Sequence, residues 1–173
     1  METMIPAWVD GTLQPVEKLI AHQHGLRHKA VSVFVMAGER ILLQQRALEK
    51  YHTPGLWANT CCTHPNWNEE SARCATRRLH EELGIQALQT KHVGQVEYRA
   101  EVGNGLVEHE LVEVYVAEAS SDLALVPNPQ EVLATRWITR SQLLAELKTK
   151  PVSFTPWLHI YMNKHSEMIF SKS

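Results

Sequence analysis

From Glu69 to Leu83, Ala72, Ala75, Leu79 and Leu83 recur at steps of three and four, the spacing of one helical face, and Gly84 follows as a natural stop. This amphipathic helix divides two stretches that read as strands. Before it, Asp10-Gly11 separates two short apolar runs and predicts a hairpin. The β-branched run 29–36 meets 41–46 through Gly38-Glu39, a second predicted hairpin. Residues 47–60 contain Pro54-Gly55 and read as a loop ending in a short strand at 56–60. After it, 93–102 and 106–119 read as strands paired around Gly103-Asn104-Gly105. Thr135–Ile138 is a further predicted strand beyond Pro127 and Pro129. A short helix follows over 141–150 with Ser141 as N-cap, then a helix over 155–169 with Pro156 in its first turn. Strands then helix, then strands then helices, point to an α+β arrangement. The expected form is a mixed β-sheet sandwich flanked by helices rather than a doubly wound sheet.

With 173 residues, no repeat and no long linker, residues 1–173 are expected to form a single domain. A formal net charge of -2 gives no global attraction for nucleic acid or an anionic membrane, so any anionic ligand needs a local cluster of cations. No apolar stretch is long enough to span a bilayer, and METMIPAWVDG lacks the apolar region of a signal peptide. Three cysteines, two of them adjacent, cannot all pair internally. They argue for free thiols or metal ligands in a reducing compartment, and hence for a cytoplasmic protein.

Several clusters could carry chemistry. On the helix, Arg77 with Glu81 and Arg78 with Glu82 are four apart, and taken alone they read as ordinary ion pairs. In NTCCTHP (59–65), Cys61, Cys62 and His64 lack the second Cys-x-x-Cys of a structural zinc site, and the His-x-Glu and Pro-Cys-x-x-Cys of a zinc deaminase are missing. In EHE (108–110), alternation puts Glu108 and Glu110 on one strand face. That face is either solvated or, if buried, joined by a cation. AHQHGLRH (21–28) adds His22, His24 and His28 in a stretch that reads as a surface loop. Together these histidines and carboxylates suit zinc, manganese or magnesium with five or six ligands.

The helix resembles the Nudix box, with Glu69, Arg77, Leu79, Glu81, Glu82 and Gly84 at the family's spacing. Two positions depart from it. Thr63 replaces a glycine, and Arg78 replaces a metal-binding glutamate, which would impair a hydrolase and add a phosphate contact. Across nearly the whole chain, EKLIAH, RHKAVSVF, QQRALEKYHTPGLWANTCCTHP, RRLHEELGI, EYRA, VEHE and FTPWL resemble the type 1 isopentenyl-diphosphate isomerases, which have the Nudix fold. The resemblance implies a 1,3-proton shift converting isopentenyl diphosphate into dimethylallyl diphosphate. It implies catalytic roles for Cys62, Glu110, Tyr98 and Trp157, and diphosphate contacts from Lys18, Arg46, Lys50 and Arg78. It also implies one divalent metal (zinc, manganese or magnesium) on His22, His28, His64, Glu108 and Glu110. His22 is preferred to His24 because Lys18 precedes it by four. A magnesium ion arriving with the diphosphate is implied at Glu82 with the Cys62 carbonyl. The expected order has Glu110 with Tyr98 delivering a proton and Cys62, as thiolate, removing another; the sequence leaves the reverse order open. The expected partner is a small homoallylic or allylic diphosphate, with no nucleic acid or membrane, bound to a monomer or weak homodimer. Competing readings are a Nudix hydrolase and a non-catalytic metal-dependent binding module.

Overall fold

A computed structural model describes residues 3–171. Strands β1 (Met4–Val9) and β2 (Thr12–Glu17) form the first expected hairpin, turning on Asp10 and Gly11 at φ 50° and 78°. Both central residues at positive φ are what a tight two-residue hairpin requires. Helix α1 (Lys18–Gln23) then runs into the stretch 21–28 that was expected as a loop. It is six residues long, too short for a periodic apolar stripe, and it starts because the Glu17 carboxylate accepts from the backbone N–H groups of Leu19 and Ile20.

Strand β3 (His28–Ala37) is the spine of a nine-stranded mixed sheet. Its expected hairpin with β4 (Arg40–Arg46) is paired at only two positions, Met36 with Ile41 and Ala37 with Arg40. The strands part because each has a longer partner. Strand β3 runs parallel to β8 (Val107–Glu118), and β4 runs antiparallel to β9 (Val132–Thr139). A strand with a helix layer on each face is buried on both, which explains the nearly unbroken apolar run of β3. Short strand β5 (Trp57–Ala58) falls within the strand expected at 56–60, whereas β6 (Cys61–Thr63), which adds antiparallel to β3, was not expected. Strand β7 (Lys91–Glu101) pairs with β8 as expected.

Helix α2 (Ser71–Leu83) presses Cys74, Ala75, Leu79 and Leu83 onto one face of the sheet, and Gly84 closes it at φ 68°. Helices α3 (Arg140–Thr149) and α4 (Pro156–Lys164) cover the other face with Leu143, Trp157, Leu158 and Tyr161. Two expectations need correction. The N-cap of α3 is Thr139, not Ser141, because Thr139 and Gln142 form a reciprocal capping box. The last helix also breaks at His165 into α4 and α5 (Ser166–Phe170).

Candidate active site

Strand registers assemble the site at one end of the sheet. His28 on β3 lies opposite Glu110 on β8, and Glu110 lies opposite Tyr98 on β7. On the other side of β3, Ser32 lies opposite Cys62. Along the first half of β8 the buried positions alternate through Glu108, Glu110, Val112 and Val114, so the alternation that carries core valines inward carries both carboxylates with them. The solvated face weighed from sequence is therefore not what forms.

Buried carboxylates side by side require positive charge between them. His22, His28, His64, Glu108 and Glu110 each bring one ligand atom into a group spanning no more than 4.8 Å. His22 and His28 are fully buried, whereas His24 is exposed and outside the group. The ring Nδ1 of His22 sits 2.6 Å from the Lys18 carbonyl, and that of His28 2.7 Å from the Leu26 carbonyl. A carbonyl only accepts, so both rings carry a proton on Nδ1 and turn Nε2 inward. Those two Nε2 atoms and Glu108 Oε2 have no hydrogen-bond partner among the described residues. Buried, converging and unpartnered nitrogen and oxygen atoms fit a divalent cation.

Glu110 is held at both oxygens. Tyr98 donates to Oε2 at 2.5 Å, and His64 Nε2 lies 2.8 Å from Oε1. Burial and the neighbouring Glu108 push its pKa up. Burial acts on Glu108 in the same direction, but the groups that face it, Glu110, His22, His28 and His52, reverse it and hold Glu108 well below the usual carboxylate range. Burial also pushes the Cys62 thiol well above its usual range, and Glu110 and Glu108 add to the effect, while the Ser32 hydroxyl and Arg46 oppose it. The sulfur sits beside carboxylates and accepts from Ser32 Oγ at 3.3 Å. Ser32 in turn accepts from Tyr161 at 2.8 Å.

Cys62 and Glu110 line one narrow cavity with Trp157, His64, Glu108 and Glu82. The cations Lys18, Arg46, Lys50 and Arg78 line the same cavity, a local positive cluster in a chain of net charge -2. Arg46 lies 5.3 Å from the centre of the Trp157 ring, and its buried Nε has no partner among the described residues. Arg78 bonds Glu82 Oε1 at 2.7 Å, and Gln44 donates to Glu82 Oε2 at 2.7 Å. Glu69 and Arg77 of the box instead bond each other at the helix N-terminus, at 2.7 Å. The sequence reading missed Glu131, which pairs with Lys50 and Arg78, and His52, whose Nε2 lies 2.9 Å from Glu108 Oε1. A histidine beside Lys50 in the stretch 46–56 was the available signal for His52; Glu131 had none, lying in a loop far from every motif.

The family model described as NUDIX domain matches residues 26–158. A protein of Cereibacter sphaeroides named isopentenyl-diphosphate Delta-isomerase is 63% identical over 172 residues, covering 99% of this chain and 97% of that one. One of the same name from Dinoroseobacter shibae is 59% identical over 170 residues, covering 98% and 97%. Among solved structures, one from Deinococcus radiodurans superposes with a TM-score of 0.73 at 14% identity, covering 94% of this chain and 98% of that one. A MutT NUDIX hydrolase from Burkholderia pseudomallei gives 0.62 at 24%, covering 80% and 98%. Likeness at such identity speaks for the fold alone.

Proposed function

The chain belongs to the Nudix family and, within it, to the isopentenyl-diphosphate Delta-isomerases, and we propose on that premise how the cavity lined by Cys62 and Glu110 moves a double bond. The enzyme interconverts isopentenyl diphosphate and dimethylallyl diphosphate. One observation carries the mechanism: Cys62 and Glu110 line the same cavity, with cations for a diphosphate in its wall.

Lys18, Arg46, Lys50 and Arg78 hold the diphosphate, which is bound and not altered. The terminal alkene carbon takes a proton, giving a tertiary carbocation, and the neighbouring methylene loses one. Cys62 Sγ is the donor and Glu110, assisted by Tyr98, the acceptor. What supports this order over the one expected from sequence is the electrostatics: the sulfur keeps its proton, while Glu110 holds a proton less tightly. The hydroxyl of Ser32 stays behind to stabilise the sulfur after donation. Trp157 walls off water and offers the carbocation an aromatic face. A divalent ion held by His22, His28, His64, Glu108 and Glu110 would keep Glu110 as the carboxylate that the acceptor role needs. Glu82 would receive magnesium only together with the diphosphate, because Arg78 and Gln44 engage both its oxygens. Arg78, standing where the box has a glutamate, favours holding the diphosphate over hydrolysing it.

A monomer or weak homodimer is the proposed form. Three free cysteines suit the cytoplasm, and no helix among the described residues is long and apolar enough to cross a membrane. Cys62→Ala and Glu110→Gln should each lower isomerisation by about 10²–10⁴-fold, the usual worth of a positioned acid or base, with the fold intact by circular dichroism. Isomerisation retained in either variant would refute the assignment.

A further inference from the structure

Two of the four carboxylate oxygens in the five-residue group are engaged outside it: Glu110 Oε2 by Tyr98, and Glu108 Oε1. Glu108 turns Oε2 toward His22, His28 and His64, while its Oε1 points to the loop between β4 and β5. There the buried ring of His52 meets it, with Nε2 at 2.9 Å. The other ring nitrogen, Nδ1, lies 3.1 Å from the hydroxyl of Thr53. A hydroxyl can donate to Nδ1, which leaves the ring proton on Nε2, aimed at the carboxylate. Thr53 holds this place at φ 46°, a backbone conformation that a β-branched residue adopts only where its surroundings enforce it. The same loop residue reaches two further parts of the site. The His52 carbonyl accepts from Arg46 Nη2 at 3.2 Å, and its ring meets the edge of Trp157, with centroids 5.9 Å apart.

We propose that His52 is a positioning residue for the metal centre: by donating to Glu108 Oε1 it fixes that carboxylate with Oε2 turned to the metal, and Thr53 sets the ring's tautomer. The proposal rests on reading the His22–Glu110 group as a metal site. A carboxylate held at its outer oxygen cannot rotate away or offer both oxygens to the ion, so the ligand is ready before the metal arrives. His52 is not among the five residues whose ligand atoms converge. The tie also links the metal wall of the cavity to Arg46 in its diphosphate wall through a single residue.

The test measures affinity for manganese and zinc by competition with a chelator, on full-length protein, for the wild type, His52→Leu, His52→Gln, Thr53→Val and His22→Ala. His52→Leu should weaken binding by about 10–100-fold, the usual effect of losing a partner that orients a ligand. His52→Gln, whose amide still donates, should recover most of that loss. Thr53→Val keeps the side-chain shape without the hydroxyl and should weaken binding several-fold, which tests the tie even if His52→Leu does not fold. In steady-state assays at limiting metal, kcat should fall further than the KM for isopentenyl diphosphate rises. Wild-type affinity in both His52→Leu and Thr53→Val, alongside a His22→Ala variant that has lost metal, would overturn the role of His52 while leaving the metal site standing. Wild-type affinity in His22→Ala as well would overturn both.

Discussion

The sulfur of Cys62 receives a hydroxyl rather than an ammonium, and this shapes the chemistry at the residue scale. Tyr161 donates to Ser32 and Ser32 to Cys62, at 2.8 and 3.3 Å. A neutral hydrogen bond is worth about 1 kcal/mol, or roughly fivefold in rate. Tyr161→Phe should therefore lower kcat about fivefold and leave the KM for the diphosphate unchanged, because Tyr161 touches none of the binding cations. A rise in KM at constant kcat would contradict the relay. Lys18 gives a second expectation. Burial and the neighbouring Lys50 push its pKa down to about 8, so its charge is present below that pH and lost above it. The specificity constant kcat/KM should fall as pH rises through about 8, and Lys18→Arg, which keeps its charge, should move that limb upward. An identical limb in both proteins would assign it elsewhere. Sequence made the types of these residues legible, because sulfur, carboxylates and histidines in these motifs restrict the chemistry. Their protonation was not legible, because it depends on what surrounds Cys62 after folding.

Elements with strong local signals were readable from the chain. Ala75, Leu79 and Leu83 of the stripe and Gly84 gave the face and the end of α2, although Ala72 of the same stripe is exposed, and the Asp10-Gly11 turn gave the first hairpin. Gly84 has a second reason to be glycine, since a Cβ there would lie 2.7 Å from Val126 Cβ and 3.0 Å from the Val126 carbonyl oxygen. Gly84→Ala should cost about 1–2 kcal/mol for the left-handed backbone alone, lowering the melting temperature by several degrees. An unchanged melting curve would show that the loop yields freely. Helix α1 and strand β6 were hidden because both are short and stabilised by partners: α1 by the Glu17 cap, β6 by pairing with β3. The wide parting of β3 and β4 was equally hidden, since a turn signal says nothing about the longer-range partners β8 and β9.

Across the whole molecule, the site exists only because α1, β3, β4, β6, α2, β7, β8 and α4 converge at one end of the sheet. Spacing along the chain could group candidates but could not show that β8 turns its two glutamates inward. The fold's charge pairs add a pH dependence of their own. Hydrogen bonds from Arg77 hold Glu69 below the usual carboxylate range; burial alone would raise Glu131, but Lys50 and Arg78 reverse it. A depressed carboxyl stabilises the fold above its unfolded value of 4.5, and that contribution disappears as pH falls through the lower folded value. Urea unfolding at pH 7, 5, 4 and 3 should show stability falling below pH 5, with a shallower fall in Glu69→Gln and Glu131→Gln. Equal slopes in all three proteins would contradict that origin. The central claim remains that two groups in one cavity exchange protons with a bound hydrocarbon tail. Its most direct test is deuterium NMR of metal-loaded protein incubated with isopentenyl diphosphate and magnesium in deuterated water. Deuterium in a methyl group of dimethylallyl diphosphate is the expected result; release of phosphate, or an unlabelled substrate with no product, would contradict it.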